Sequence, residues 1–236
     1  MSSKKENNIV NDDVSPGRIR SDLYSFQTGF PAEMPSVISV LSSIVERAVV
    51  RNERLAASYR PISRPAKYCV FDGFEVPDMS IERYLGRIFR YVNCSPSVFV
   101  VAYAYIDRLI QMHPNFRITC LNVHRLLITS VMVASKFVED INYPNSYYAR
   151  VAGVISTEEM NKLEIEFLFL MGFKFHVTVN VFESYCCHLE REVALGGGFQ
   201  IERSLRFFCE IDQSSAVTRK YCKNHRHFLR CVYHKS

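Results

Sequence analysis

The chain has 236 residues, of which 48% are hydrophobic, and its formal net charge of +5 comes largely from a basic C-terminal segment. Its nine glycines and nine prolines are too few for a turn-rich β-sandwich, so the composition favours one globular, mainly α-helical protein. The longest run without charge, residues 91–106, is shorter than the roughly 20 apolar residues of a membrane-spanning helix, which argues against a membrane protein.

The N-terminal segment, residues 1–34, mixes charged residues, serine, asparagine and proline with little apolar periodicity. Such a composition cannot bury enough apolar surface to compensate for ordering the chain, so we predict disorder. From Ser36 onward, apolar residues recur at helical spacing and fade in the basic stretch 51–54, which predicts a first amphipathic helix. Its predicted apolar stripe consists of Val37, Leu41, Ile44 and Ala48.

A proline-containing linker leads to five further predicted helical segments with recognisable start and stop residues. These segments are 80–92, 95–111, 119–139, 146–151 and 156–172. Ser95 before Pro96, and Ser156 or Thr157 before two glutamates, form typical N-terminal patterns of helices. The second and third segments are apolar on nearly every face, which predicts that they form the centre of a helical bundle.

Another amphipathic stretch covers residues 181–193, followed by three glycines and a final predicted helix near 201–211. Too few residues follow the fifth segment to repeat a five-helix unit, so one domain is expected. The predicted organisation is a disordered tail over 1–34, a helical body over 35–195, a loop with a final helix over 196–214, and a basic flexible tail over 215–236.

The eight cysteines show no regular spacing and no signal peptide precedes them, which favours reduced thiols in an intracellular protein of the nucleus, the cytoplasm or both. Near the C-terminus, cysteines and histidines cluster without any CxxC half-site, so we predict no metal and no other cofactor. The clustered residues are Cys209, Cys222, His225, His227, Cys231 and His234.

Sequence motifs for catalysis are missing. The chain has no glycine-rich phosphate loop between a strand and a helix and no nucleophile elbow, and "NVHRL" lacks the aspartate of a kinase catalytic loop. We therefore expect a non-catalytic protein without a small-molecule substrate.

A stripe of polar-edged residues interrupts the apolar third segment. Arg125, Thr129, Met132 and Lys136 lie along one helical face, which indicates either a solvent-facing edge or a binding face. In the fifth segment Glu164 lies within the apolar stripe of Met160, Phe167 and Met171. Because a buried unpaired charge is costly, Lys136 and Glu164 must pair with each other, with polar groups of their own fold, or with a partner.

Asp107 is an acidic residue inside the most hydrophobic segment. It also needs a donor, and Arg83 or Arg87 in the preceding segment is the nearest basic candidate, so a structural ion pair is the expected role.

Four stretches in this order, "SPSVFVVAYAYIDRL", "NVHRLLITSVMVASKFVED", "YARVAGV" and "LEIEFLFLMGF", resemble the cyclin box of plant U-type, or P-type, cyclins. The resemblance covers about residues 36–195. It implies an all-α fold: a five-helix cyclin box with flanking N- and C-terminal helices.

The resemblance also implies a function. Cyclins of this kind are regulatory subunits that bind and activate a cyclin-dependent kinase, here expected to be of PSTAIRE type, in cell-cycle or nutrient and growth signalling. Their third and fifth box helices pack on the C-helix of the kinase. The family's paired lysine and glutamate contacts fall on Lys136 and Glu164, and the implied kinase-binding set also contains Arg125, Thr129, Met132 and Phe167. The family's structural ion pair falls on Asp107 and Arg83.

The chain also departs from mitotic cyclins in several places. Arg125 stands where they carry a leucine, a second five-helix box is missing, and "IERYLGRIF" replaces the "MRAIL" patch that docks substrates. Partner choice and substrate docking therefore do not follow from the resemblance. The stretch "RSDL" at residues 20–23 has only a superficial likeness to a destruction box.

An alternative function comes from a different class of protein. The same helical unit occurs in general transcription factors that grip DNA, and this chain ends in a basic tail, so a transcription or adaptor protein that binds nucleic acid or another scaffold remains open. That alternative predicts basic residues on the folded surface and an affinity that falls steeply with salt. Lys136 together with Glu164 favours the kinase partner over nucleic acid.

Overall fold

The computed structural model describes residues 14–24, 34–58, 70–140, 142–153 and 155–194, which form eight helices and no strand. The all-α prediction is confirmed. The helices are α1 (Pro16–Tyr24), α2 (Ser36–Ser58), α3 (Ile81–Val92), α4 (Pro96–Met112), α5 (Val123–Val138), α6 (Asn145–Ala152), α7 (Thr157–Leu170) and α8 (Val179–Ala194). The predicted helix near 201–211 and the basic tail over 215–236 lie outside the described residues. In the part that is described, no helix is both long and apolar enough to cross a membrane.

A serine directly precedes each of three helices. Ser80 and Ser156 precede α3 and α7, and their side-chain oxygens accept hydrogen bonds from the backbone N–H groups of Arg83 (3.3 Å) and Glu159 (3.1 Å). Ser95 occupies the same position before α4, but its hydroxyl donates to Glu139 Oε1 at 2.7 Å instead of capping the helix. The carboxylate after α5 therefore ties the end of α5 to the start of α4.

The centre of the fold is the pair formed by α4 and α5, which have the most extensive contact of any two helices described. Twelve of the sixteen residues of α5 are buried, because α3, α6 and α7 cover its other faces. The predicted central position of these two helices is confirmed. A glycine with positive φ, Gly153 at 89°, ends α6 and lets the chain turn toward α7.

A helix that the sequence did not predict packs at the N-terminus. Ile19 and Leu23 of α1 are buried against the bundle, and Arg20 forms two hydrogen bonds to the Glu190 carboxylate of α8, at 2.9 and 2.7 Å. The prediction of disorder over 1–34 is therefore wrong for residues 16–24. A composition argument fails here because α1 is stabilised by a helix that lies about 170 residues further along the chain.

Candidate functional site

The packing of α5 against α7 brings together the two charged residues that the sequence singled out. Lys136 lies in the last turn of α5, and its Nζ donates to Glu164 Oε1 of α7 at 2.6 Å. The same ammonium donates to Asn145 Oδ1 at 2.6 Å, and Asn145 Nδ2 donates to Glu164 Oε2, also at 2.6 Å. We call Lys136, Asn145 and Glu164 the α5–α7 polar cluster. Lys136 and Glu164 therefore pair with each other and also with a polar group of their own fold, which are two of the three possibilities that the sequence left open.

The α5–α7 polar cluster reaches the surface. The side chains of Lys136 and Glu164 are 29% and 18% exposed to solvent. A lysine ammonium carries three N–H donors, and the described residues accept two of them, which leaves one donor for another molecule. The cluster is therefore both internally satisfied and accessible to a partner.

An exposed aromatic ring lies next to the cluster in sequence. Phe137 is 60% exposed, and its ring stacks on that of Phe175 with 5.1 Å between the ring centroids and 26° between the planes. The spacing of residues along α5 groups Phe137 with the apolar side chains of the helix and does not reveal its exposure. Its only signal in the sequence is its position directly after Lys136, near the end of the helix.

A second ion pair joins α5 to α7 near their first turns. Arg125 Nη2 lies 2.5 Å from Glu159 Oε1, and the two side chains are 18% and 32% exposed. Arg125 is therefore held by α7, and only a small part of it faces solvent. The two ion pairs, one near each end of α5, fix the relative positions of α5 and α7.

Three residues of the predicted kinase-binding set are completely buried: Thr129, Met132 and Phe167. Thr129 Oγ1 donates to the Arg125 carbonyl at 2.7 Å. The ring of Phe167 packs against those of Phe71 and Phe175, with centroid distances of 6.2 and 6.1 Å. Other residues of the fold cover all three side chains, so they do not face a partner as expected, and Phe71, from the segment before α3, covers Phe167.

Asp107 does not form the predicted ion pair with Arg83. Its Oδ2 accepts hydrogen bonds from the Tyr185 hydroxyl of α8 at 2.7 Å and from Gln111 Nε2 at 2.6 Å. Burial raises the pKa of the Asp107 carboxyl, while these two hydrogen bonds act in the opposite direction. Arg83 is exposed on α3, which contacts α2, α5 and α6, whereas Asp107 faces α8.

The described residues contain no group of three or more histidines, cysteines and acids that could hold a metal ion. The cysteine and histidine cluster near the C-terminus lies outside them. Cys94 and Cys186 are buried, and that burial raises the pKa of both thiols. Cys186 therefore packs in the interior and is a poor nucleophile.

Comparison with known proteins gives consistent similarities. A family model described as Cyclin matches residues 34–175, a range that contains α2 to α7. The chain is 58% identical to Cyclin-U2-2 of Arabidopsis thaliana over 205 residues, which cover 86% of this chain and 89% of that protein. It is also 58% identical to Cyclin-U2-1 of Arabidopsis thaliana, covering 86% and 90%. Identity to Cyclin-P2-1 of Oryza sativa subsp. japonica is 47% over 192 residues, covering 80% and 88%.

Proposed function

Because the chain belongs to the cyclin family, in the group of plant U-type or P-type cyclins, we propose that it binds and activates a cyclin-dependent kinase of PSTAIRE type. In this proposal α5 and α7 pack on the C-helix of the kinase. Cyclins are regulatory subunits, so the chemistry belongs to the kinase. The complex would act in the nucleus, the cytoplasm or both, in control of cell division or growth signalling.

The α5–α7 polar cluster is the observation that carries the proposal. Lys136 and Glu164 are partly exposed, and both are locked in position by Asn145. The remaining N–H of the Lys136 ammonium can donate to a backbone carbonyl of a docked helix or loop. Hydrogen bonds that involve a charged group are about twice as strong as those between neutral groups, so one such contact anchors the orientation of a partner.

Exposed apolar side chains next to the cluster supply the nonpolar part of the interface. Burial of a whole phenylalanine side chain stabilises a complex by about 1.5–3 kcal/mol, and Phe137 offers 60% of its surface. On the adjacent face of α7, Ile165 and Phe169 are 54% and 66% exposed and lie four residues apart. Aromatic anchors surrounded by polar groups are typical of the centres of protein interfaces.

The other residues of the set have supporting roles in this proposal. Arg125, held by Glu159, contributes at the edge of the interface through its small exposed part. Thr129, Met132 and Phe167 are buried, and they support the packing of α5 and α7 from the interior of the fold. The contact surface is consequently smaller than the sequence suggested and is centred on the C-terminal end of α5.

Activation follows from what a kinase requires. The ion pair between its strand lysine and its C-helix glutamate must form before the ATP phosphates are held correctly. A partner that binds only the active position of the C-helix shifts the kinase from mostly inactive to mostly active if it prefers that position by about 5.5 kcal/mol. A few desolvated anchors such as Phe137 and the Lys136 ammonium can supply a difference of that size.

Affinity capture of the tagged full chain from its own cells tests the proposal. We expect a PSTAIRE-type kinase and histone kinase activity in the eluate of the unaltered chain, and neither in that of the Lys136→Glu variant. The matched control is Lys162→Glu, which makes the same charge change at an exposed position of α7 and should retain both. Retention of the kinase by Lys136→Glu would show that the interface lies elsewhere.

A further inference from the structure

A basic and aromatic surface lies on α3 and α6. Arg83, Arg87 and Arg90 are spaced i, i+4 and i+7 and share one face of α3. Arg150 projects from the last turn of α6, which packs on α3. Arg83, Arg90 and Arg150 are exposed, and Arg87 is half-buried. We call these four residues, with Tyr91 and Tyr147, the α3–α6 basic surface.

Contacts within this surface hold its side chains in place. Arg87 Nε donates to the Val151 carbonyl at 2.7 Å, so the guanidinium interacts with the carbonyl end of α6. The same guanidinium lies 5.8 Å from the ring centroid of Tyr91, and that of Arg150 lies 6.0 Å from the ring centroid of Tyr147. The Tyr147 hydroxyl donates to the Tyr91 carbonyl and so links α6 to α3.

Unlike three other arginines of the fold, those of this surface have no acidic partner among the described residues. Arg20, Arg47 and Arg125 each form an ion pair with a glutamate. No carboxylate among the described residues forms an ion pair with Arg83, Arg87, Arg90 or Arg150. Most of their guanidinium N–H donors are therefore available to an anion from outside the chain.

We propose that the α3–α6 basic surface binds a phosphorylated peptide segment of a protein that the kinase complex modifies. The choice of partner protein rests on the proposed function, whereas the binding itself depends only on this chain. Guanidinium groups stay charged and bind phosphate oxygens in bidentate geometry. Tyr91, which is 57% exposed, provides an apolar ring against which a peptide side chain can pack.

The dimensions of the surface favour a peptide over a nucleic acid. The three arginines of α3 span about 10 Å along the helix axis, which suits one or two phosphate groups. Nucleic-acid binding uses a longer track of contacts to successive phosphates. Here the exposed acidic residues Glu82 and Glu46 limit the track at the start of α3. Burial, together with the nearby charge of Glu82, raises the pKa of Glu46.

The surface is separate from the α5–α7 polar cluster. Asn145, the first residue of α6, belongs to that cluster, whereas Arg150 and Val151 lie in the last turn of the same helix. Asn145 and Arg150 are about 7.5 Å apart along the axis of α6, so the α5–α7 polar cluster and the α3–α6 basic surface use opposite ends of this helix.

Fluorescence anisotropy of the purified full chain tests the inference without any kinase. The probes are a short labelled Ser-Pro peptide with one phosphoserine, its unphosphorylated counterpart, and a short single-stranded DNA, all at one fixed salt concentration. The variant Arg90→Gln/Arg150→Gln removes two exposed donors of the surface. Its matched control is Arg51→Gln/Arg54→Gln, which removes two exposed arginines of α2. The basic C-terminal segment is identical in all three proteins.

We expect the phosphopeptide to bind more tightly than its unphosphorylated counterpart, and Arg90→Gln/Arg150→Gln to weaken that binding about tenfold, with little change in the control. Equal binding of the two peptides, or equal loss in both variants, would overturn the inference. Preferential binding of the DNA that is lost in Arg90→Gln/Arg150→Gln would assign the surface to nucleic acid and also overturn it. Loss of kinase capture with intact phosphopeptide binding would contradict the proposed function alone.

Discussion

Lys136 Nζ lies 2.6 Å from Glu164 Oε1, a contact that joins the last turn of α5 to the middle of α7. The pair therefore stabilises the fold and also presents a partly exposed charge at the proposed interface. A single substitution removes both roles at once. To separate the structural role from the docking role, a variant must keep the contact between residues 136 and 164 and change only the charges that a partner would contact.

The exchange of the two charges provides that separation. Lys136→Glu alone should lower the free energy of unfolding by about 1 kcal/mol, because it places two carboxylates side by side. The double variant Lys136→Glu/Glu164→Lys should recover most of this loss by re-forming the pair in reverse. It should still fail to capture the kinase, because the partner would meet the opposite charges. Urea denaturation and kinase pull-down give the two readouts, and kinase capture by the double variant would refute the docking role.

Two phenylalanines near the cluster should respond in opposite ways. Phe137→Ala should weaken kinase binding with little loss of stability, because Phe137 is 60% exposed. Phe167→Ala should lower the free energy of unfolding by about 3–5 kcal/mol, because Phe167 is completely buried. Thermal denaturation and titration of the purified kinase measure the two effects. Unchanged kinase affinity in Phe137→Ala would remove this ring from the interface.

Asp107 and Arg83 should show independent effects on stability. Asp107→Ala removes the hydrogen bonds that the Asp107 carboxylate accepts from the Tyr185 hydroxyl and from Gln111, and it should destabilise the fold by about 1–3 kcal/mol. Arg83→Ala changes an exposed side chain and should alter stability by less than about 0.5 kcal/mol. Chemical denaturation of both single variants and of the double variant should give additive effects. A coupling energy well above the experimental error would instead support the ion pair predicted from the sequence.

The N-terminal helix offers a matched pair of substitutions. Ile19→Ala removes a fully buried side chain and should weaken the docking of α1 by about 2–5 kcal/mol. Gly17→Ala adds a methyl group in open space, 4.0 Å from Ser15 Oγ, and should stabilise the helix by about 0.5–1 kcal/mol. Amide hydrogen exchange should accelerate over residues 16–24 and in α8 for the first variant only. Equal exchange in both variants would mean that α1 does not depend on this contact.

The pH dependence of stability should report on His188. Burial, together with the positive charges of Arg191 and Arg47, lowers the pKa of His188 to about 4. In the unfolded chain the side chain of His188 has the ordinary histidine pKa of about 6.5. The contribution of neutral His188 is therefore fully present above about pH 6.5 and is lost as the pH falls toward 4, by about 3 kcal/mol in total.

The variant His188→Gln should reduce this slope when urea denaturation is compared between pH 7.5 and pH 5. Part of the slope should remain, because burial also lowers the pKa of His124. Identical slopes in the variant and the unaltered chain would mean that His188 is accessible to protons in the folded state.

Local sequence signals predicted the helices of the bundle well. Ser80 and Ser156 stand at the starts of α3 and α7, and Gly153 stands at the end of α6. Each of these signals acts within one helical turn, so it can be recognised without knowledge of the fold. The α1 helix also begins after a serine and a proline, Ser15 and Pro16, and the Ser15 hydroxyl accepts a hydrogen bond from the Arg18 N–H at 3.2 Å. Its nine residues bury only Ile19 and Leu23 and depend on α8 for their position, so the sequence showed too little apolar periodicity to predict a helix there.

The candidate site was predictable only in part. Lys136 and Glu164 stood out because a charge on an apolar helix requires a partner, and that argument needs no structure. The residue that joins them, Asn145, accepts from Lys136 and donates to Glu164, lies in a separate helix, and could not be found by spacing. The burial of Phe167 depends on contact with Phe71, which lies in a loop about a hundred residues earlier in the chain. Periodicity identifies a helical face, but tertiary contacts determine whether that face is covered.

The tie between Ser95 and Glu139 also has a consequence for how fast and how tightly a partner can dock. Glu139 follows α5 directly and is fixed to the start of α4, and the Lys136 ammonium is held by Asn145 and Glu164, so both the end of this turn and its lysine side chain are anchored. A free lysine loses about 1.5–2 kcal/mol of rotamer freedom when it is immobilised. Here that loss has already occurred on folding, so association would begin from a side chain that is preorganised.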